Sequence, residues 1–200
     1  MPIARQFFDA PSPPVLRRAF VALALALFCG AANPVRAEAP STYMQRVAKE
    51  LVTASRSGSA AAFAATLRSH ADIPTIGLYS LGPYARNLSQ EERPTYYSGM
   101  INWIARYVAS KSPDYPVASA IVLGQTEETK TGAYVDSRIT MRDGAAYDVR
   151  WWLVRRGQTF KVADAQVLGF WARESLKDLF EKYIAENGGN PRALIIALNR

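Results

Sequence analysis

The chain has 200 residues, 49% apolar, 20% charged and 11% aromatic, far from the low-hydrophobicity, high-charge balance of disordered chains. Its 12 Gly and 12 Pro are near average usage, and no segment repeats at a solenoid or propeller period, which excludes collagen-like, low-complexity and repeat architectures. The formal charge of +7 falls to +4 without Arg5, Arg17, Arg18, Arg36 and Asp9 of the N-terminal segment, too small an excess for a nucleic-acid binder with a basic face.

That segment begins the chain as a signal peptide. Arg17-Arg18 precedes the uncharged run from Ala19 to Phe28, which is too short to span a bilayer comfortably. Val35 and Ala37 stand at −3 and −1 of a cleavage before Glu38, so residues 1–37 are expected to be removed and 38–200 to form one exported, periplasmic domain. Arg17-Arg18-Ala19-Phe20-Val21 resembles a twin-arginine signal, although a plain basic n-region explains the pair. Phe28 before Cys29 argues against a lipoprotein site. Cys29 is the one cysteine, so the mature chain has neither disulfides nor thiolate metal sites, and an oxidising compartment suits it.

Ser41 or Thr42 is placed to cap a helix with apolar Met44, Val47, Ala48, Leu51 and Val52, ending near Gly58. Ser59 opens a second helix carrying Phe63 and Leu67. Asp72-Ile73-Pro74 starts a short third one through Leu78, broken at Gly82-Pro83. Ser89-Gln90-Glu91-Glu92 fits a capping box, and Tyr96, Met100, Trp103, Ile104, Tyr107 and Val108 then mark one long apolar face.

Beyond Pro113-Asp114 the period changes to two, and four antiparallel strands are predicted. They run over Val117–Thr126, Tyr134–Met141, Tyr147–Val154 and Phe160–Gly169, with Asp143-Gly144 as a hairpin turn. A helix bearing Leu176, Leu179, Phe180, Tyr183 and Ile184 follows, stopped by Gly188-Gly189. Asn190-Pro191 caps a last short helix. The fold class is therefore α+β: a curled four-stranded antiparallel sheet with helices packed on one face, enclosing an apolar pocket.

No catalytic set emerges. His70 is the one histidine, which excludes a His-based metal cluster, and its place near a helix end favours a solvent-facing or helix-terminal role. There is no GxSxG elbow, Walker loop or GxGxxG. Asp136 and Asp148 share a strand face with Arg138 and Arg150, as cross-strand ion pairs on a wet surface do. Asp164 shares parity with Phe160, Val162 and Leu168, which points it inward; a hydrogen bond to nearby backbone is its expected role. No metal or cofactor is expected.

Several segments, in order, resemble the MlaC family of periplasmic phospholipid carriers, also described as toluene-tolerance proteins and ABC-transporter auxiliary components. They are Leu81-Gly82-Pro83-Tyr84-Ala85-Arg86, the Ser89–Arg93 helix start, Tyr147-Asp148-Val149, Lys161-Val162-Ala163-Asp164, Val167-Leu168-Gly169 and the helix with Phe180 before Gly188-Gly189. Trp171 and Lys177 depart from the family's tendencies to Ser and Arg. The resemblance implies a soluble monomeric shuttle, not an enzyme. It would hold phospholipid by its acyl chains and exchange it between an outer-membrane MlaA-type lipoprotein complex and an inner-membrane Mla-type ABC transporter. A similar hopanoid-associated branch keeps a rigid polycyclic lipid as alternative cargo.

The pocket lining expected from the apolar faces is Leu78, Leu81, Met100, Trp103, Ile104, Tyr107, Val135, Ile139, Tyr147, Val149, Trp151, Leu168, Leu176, Phe180 and Ile184. Arg86, Arg93 and Lys177 are expected at a head-group rim. Two other classes remain open: an acid-base enzyme using Asp164 with Tyr147 on a small apolar substrate, and an interaction module with a solid core.

Overall fold

The computed structural model describes residues 38–200; the signal-peptide reading, with Arg17-Arg18 and Cys29, lies outside the described residues. Helix α1 (Pro40–Ser57) begins one residue after Ala39. The expected Ser41 or Thr42 cap is replaced by Pro40, whose fixed φ suits a first turn and which has no N–H to satisfy. Gly58 ends the helix with φ 59°, a left-handed conformation that glycine adopts without a Cβ penalty.

Helix α2 (Ala60–His70) is capped by Ser59, whose Oγ accepts from the Ala62 amide at 3.3 Å. Helix α3 (Ile73–Ser80) leads into a 3-10 segment, Gly82–Asn87. The capping box before α4 (Arg93–Lys111) is only half formed: the Ser89 amide donates to Glu92 Oε2 at 3.2 Å. Pro94 sits in the first turn of α4, and the helix starts there rather than at Ser89.

The sheet has five strands instead of the expected four. In order these are β1 (Val117–Glu128), β2 (Gly132–Met141), β3 (Ala146–Arg156), β4 (Thr159–Val167) and β5 (Phe170–Trp171), each antiparallel to the next. The fourth strand stops at Val167 because Leu168 (φ 53°) and Gly169 (φ 85°) reverse the chain. A register shift between β3 and β4 pairs Leu153 with Val162 but Trp152 with Asp164, leaving Ala163 as an extra residue. Such a bulge bends and twists the ladder. It also changes parity, so Asp164 does not share a sheet face with Phe160 and Val162.

Helix α5 (Ala172–Glu186) and helix α6 (Pro191–Leu198) close the chain, α6 capped by Asn190 Oδ1 on the Arg192 amide at 3.0 Å. The core forms three clusters. Tyr43, Met44 and Val47 of α1 pack on Val135, Leu153 and Phe160 of the sheet. Phe63 and Ala64 of α2 meet Ala54, Ile101 and Ala105. Tyr96 and Met100 of α4 meet Phe180, Ile184, Leu194 and Leu198. The opposite sheet face is polar, as its alternation implied: Arg138 grips Asp148 through two hydrogen bonds of 2.7 and 2.9 Å, and Arg150 pairs with Glu127 and with Asp136 at 3.9 Å.

Candidate functional site

Between the three clusters the helices stand off the sheet. The space left is a cavity of about 730 Å³ with an almost wholly apolar wall. α1 contributes Val47 and Leu51, α2 Leu67, α3 Ile76, α4 Trp103, Ile104 and Tyr107, and α5 Leu176 and Leu179. The sheet side is Trp151 and Val162 to Ala165. A second cavity of about 270 Å³ shares Leu51, Tyr107 and Trp151 with it and adds Val52, Phe63, Val117 and Ile139.

The sequence expectations divide over this geometry. Trp103, Ile104, Tyr107, Trp151 and Leu176 line the larger cavity, and Ile139 the smaller. Leu81, Met100, Phe180 and Ile184 are instead buried in the helical cluster, and Val135 in the sheet-side cluster. Val149 is buried, while Leu78 and Tyr147 are half-buried, outside both walls. Apolar periodicity marks the inner face of an element but does not separate solid core from cavity wall. Leu168 is 73% exposed, because the β4–β5 turn carries it away from the sheet.

The expected rim cations also stand elsewhere. Arg86 is exposed and its Nε donates to the Pro83 carbonyl at 3.0 Å. Arg93 begins α4 outside the wall, and Lys177 pairs with Glu181 at 3.3 Å. Trp171 lies outside the wall, its ring 6.3 Å from that of Tyr134. Asp164 and Tyr147 do not form a pair: Asp164 is in register with Trp152, about 17 Å along β3 from Tyr147 at ~3.3 Å per residue.

Polar wall residues absent from the expected apolar lining are Thr66, His70, Asp164, Arg173 and Ser175. His70 ends α2 as its position implied, but it is buried, not solvent-facing. Its Nε2 is 2.8 Å from Glu50 Oε2, and the Tyr43 hydroxyl donates to its carbonyl at 3.2 Å. Burial pushes the Tyr43 hydroxyl up to about 12. Asp164 Oδ1 accepts from the amides of Ala165 (2.8 Å) and Arg173 (2.9 Å). Burial pushes its carboxyl above the usual aspartate range, against the opposing pull of those amides and of the Arg173 guanidinium. Among the described residues no group of three or more His, Cys, Asp or Glu could hold a metal ion.

The family profile described as MlaC protein matches residues 42–200, nearly everything after the N-terminal segment. The chain belongs to the MlaC family. None of the curated proteins matches. Among solved structures, the MlaC-family fold is shared with a phospholipid-binding protein from Ralstonia solanacearum, determined in complex with a phospholipid. The TM-score is 0.67 at 14% identity, over 81% of this chain and 96% of that one. For this MlaC-family chain the likeness establishes the α+β fold, and family membership points to a binding and transport protein.

Proposed function

We propose that the protein is a periplasmic phospholipid carrier, exported by cleavage after Ala37. It takes a lipid by its acyl chains and shuttles it between an outer-membrane MlaA-type lipoprotein complex and an inner-membrane Mla-type ABC transporter. The observation that carries this reading is the apolar cavity of about 730 Å³ at the meeting point of three core clusters. Kept rigid and dry, a void of that size costs on the order of 17 kcal/mol at ~24 cal/mol per Å³. That exceeds the ~5–15 kcal/mol stability of a typical domain. Such a cavity belongs to a fold that holds cargo or closes when empty.

Acyl chains fit the energetics. A two-chain lipid has on the order of 30 methylenes, so roughly 25 kcal/mol accompanies the removal of its chains from water at ~0.8 kcal/mol each. A bilayer offers about the same, so a carrier needs only a matching apolar wall and no covalent chemistry. The structural neighbour's bound phospholipid supports the same cargo class.

The test is native mass spectrometry with lipid extraction on residues 38–200, exported and purified without detergent. Near-stoichiometric phospholipid is expected. Bound hopanoid would replace the cargo, and a well-folded protein that neither carries lipid nor takes it from liposomes would overturn the carrier reading.

A further inference from the structure

The sheet side of the larger cavity comes from β3 and β4, and that of the smaller one from β1, β2 and β3. Among the described residues Trp151 is the one β3 residue in either wall. The two spaces share Leu51, Tyr107 and Trp151, so what stands between them is side chains rather than backbone. The larger chamber reaches solvent beside α5, where its wall residues Ala172, Ser175 and Leu179 are exposed. A chain lying in it enters the smaller chamber only past those three shared residues.

Trp151 is pinned where it stands. Its Nε1 donates to Ser137 Oγ at 2.8 Å, reaching from β3 across to β2. Ser137 is 1% exposed, and it is the one hydroxyl on an inner face of β2 otherwise made of Ala133, Val135, Ile139 and Met141. A buried hydroxyl and a buried indole N–H each cost free energy when left without a partner. Here each satisfies the other, and the bond fixes which way the ring lies. Tyr107 is braced in a different manner: its ring stacks on that of Trp103, with centres 5.6 Å apart and planes within 8°. Trp103 in turn packs edge-on against the buried Phe180. The partition is thus held from the sheet and from the helical core.

We infer that Trp151, held by Ser137, sets the length of acyl chain that the carrier accepts, by closing the smaller chamber to a chain lying in the larger one. Resting on the carrier reading, this adds to it a selectivity for chains rather than for head groups. An apolar wall alone attracts every methylene equally, so discrimination between chains needs a fixed obstacle. A chain too long for the larger chamber either keeps its end in water or displaces the ring and breaks the bond to Ser137. Relative to its place in a bilayer, each methylene left in water disfavours the longer lipid about fourfold.

The experiment offers purified residues 38–200 liposomes holding equal amounts of dimyristoleoyl, dipalmitoleoyl, dioleoyl and dieicosenoyl phosphatidylglycerol, which share a head group and differ in chain length. Bound lipids are extracted and counted by mass spectrometry. The wild type should show a limit, with bound amounts falling about fourfold for each methylene beyond it. Trp151→Ala joins the chambers, and the longest lipid should gain about tenfold or more over its wild-type share. Ser137→Ala keeps the ring but unpins it, and should shift the profile in the same direction by less. Trp151→Ala/Ile139→Phe refills the smaller chamber from its own wall and should bring the limit back towards that of the wild type. Circular dichroism and melting report the fold of each variant. A Trp151 that only packs the interior would lower the melting temperature and leave the length profile where it was. That result in folded, lipid-bearing variants, or a wild type with no limit across the series, overturns the assignment. Should Trp151→Ala fail to fold, Ser137→Ala decides by the same readout. If the wild type takes up none of the series, the carrier reading itself fails.

Discussion

Gly132 shows how little room the β2–β3 pairing leaves. A Cβ there would lie 1.8 Å from the Leu153 carbonyl oxygen, and backbone yields less readily than a side chain. Gly132→Ala should therefore cost about 3 kcal/mol in urea unfolding, at the upper end of overpacking penalties; a loss under ~1 kcal/mol would mean that β2 and β3 separate easily there. Tyr43 makes a different prediction, about alkali. Its hydroxyl is raised from 10.0 to about 12 in the folded protein, chiefly by burial. The neutral form is thus favoured by folding, so the associated stability is complete below pH ~10 and is lost as pH rises towards ~12. Melting temperatures measured across that range should fall more steeply for the wild type than for Tyr43→Phe. His70 and Arg173 show what single residues hide from sequence: a lone His beside Ser69 and an Arg opening a helix look solvated until α1, α3 and β3 close around them.

Helix α5 presents two functions on adjacent residues. Phe180 is 1% exposed and packs edge-on against Tyr96 and Trp103, whereas Leu179 is 47% exposed and lines the cavity. Phe180→Ala should destabilise by about 3–5 kcal/mol. Leu179→Asp should change stability by under about 0.5 kcal/mol, as surface substitutions do, yet lower the lipid retained through purification. Equal effects of both on melting and on lipid content would erase this division. Most elements were legible in the sequence, because Ser59, Gly58, Asn190 and the Asp143-Gly144 turn carry local signals that tertiary context does not override. The bulge at Ala163 and the turn at Leu168 carried no such signal. Both follow from how β4 must bend to meet α5, a long-range constraint, and the turn is what carries Leu168 outward, whereas Asp164 stays buried in the cavity wall. The cavity itself was legible only as apolar faces, since core and cavity wall use the same residues.

At the scale of the whole molecule, the cavity links cargo to stability. A ligand bound only by the folded state adds about 2.7 kcal/mol at a hundredfold excess over its dissociation constant. Stripping lipid with organic solvent and refolding should therefore lower the melting temperature, and adding phospholipid should restore it. Filling the space from the wall by Ala165→Phe should raise the melting temperature of the stripped protein and reduce its uptake of lipid; uptake at the wild-type level would show that cargo lies elsewhere. The sheet has a further consequence, for behaviour at high concentration. The free side of β4 is occupied twice, by β5 at Gln166 and Val167 and by the α2–α3 connection, where Ala71 bridges Val162 and the Asp72 amide donates to the Val162 carbonyl at 2.8 Å. Among the described residues that leaves β1 as the open border. Its pairing with β2 slips between Val117 and Ser119 and again between Val122 and Thr126, and it ends in Glu127 and Glu128. An uneven, acid-tipped border is a poor template for a second chain, so a protein with an apolar interior open to solvent resists stacking into fibrils through its backbone.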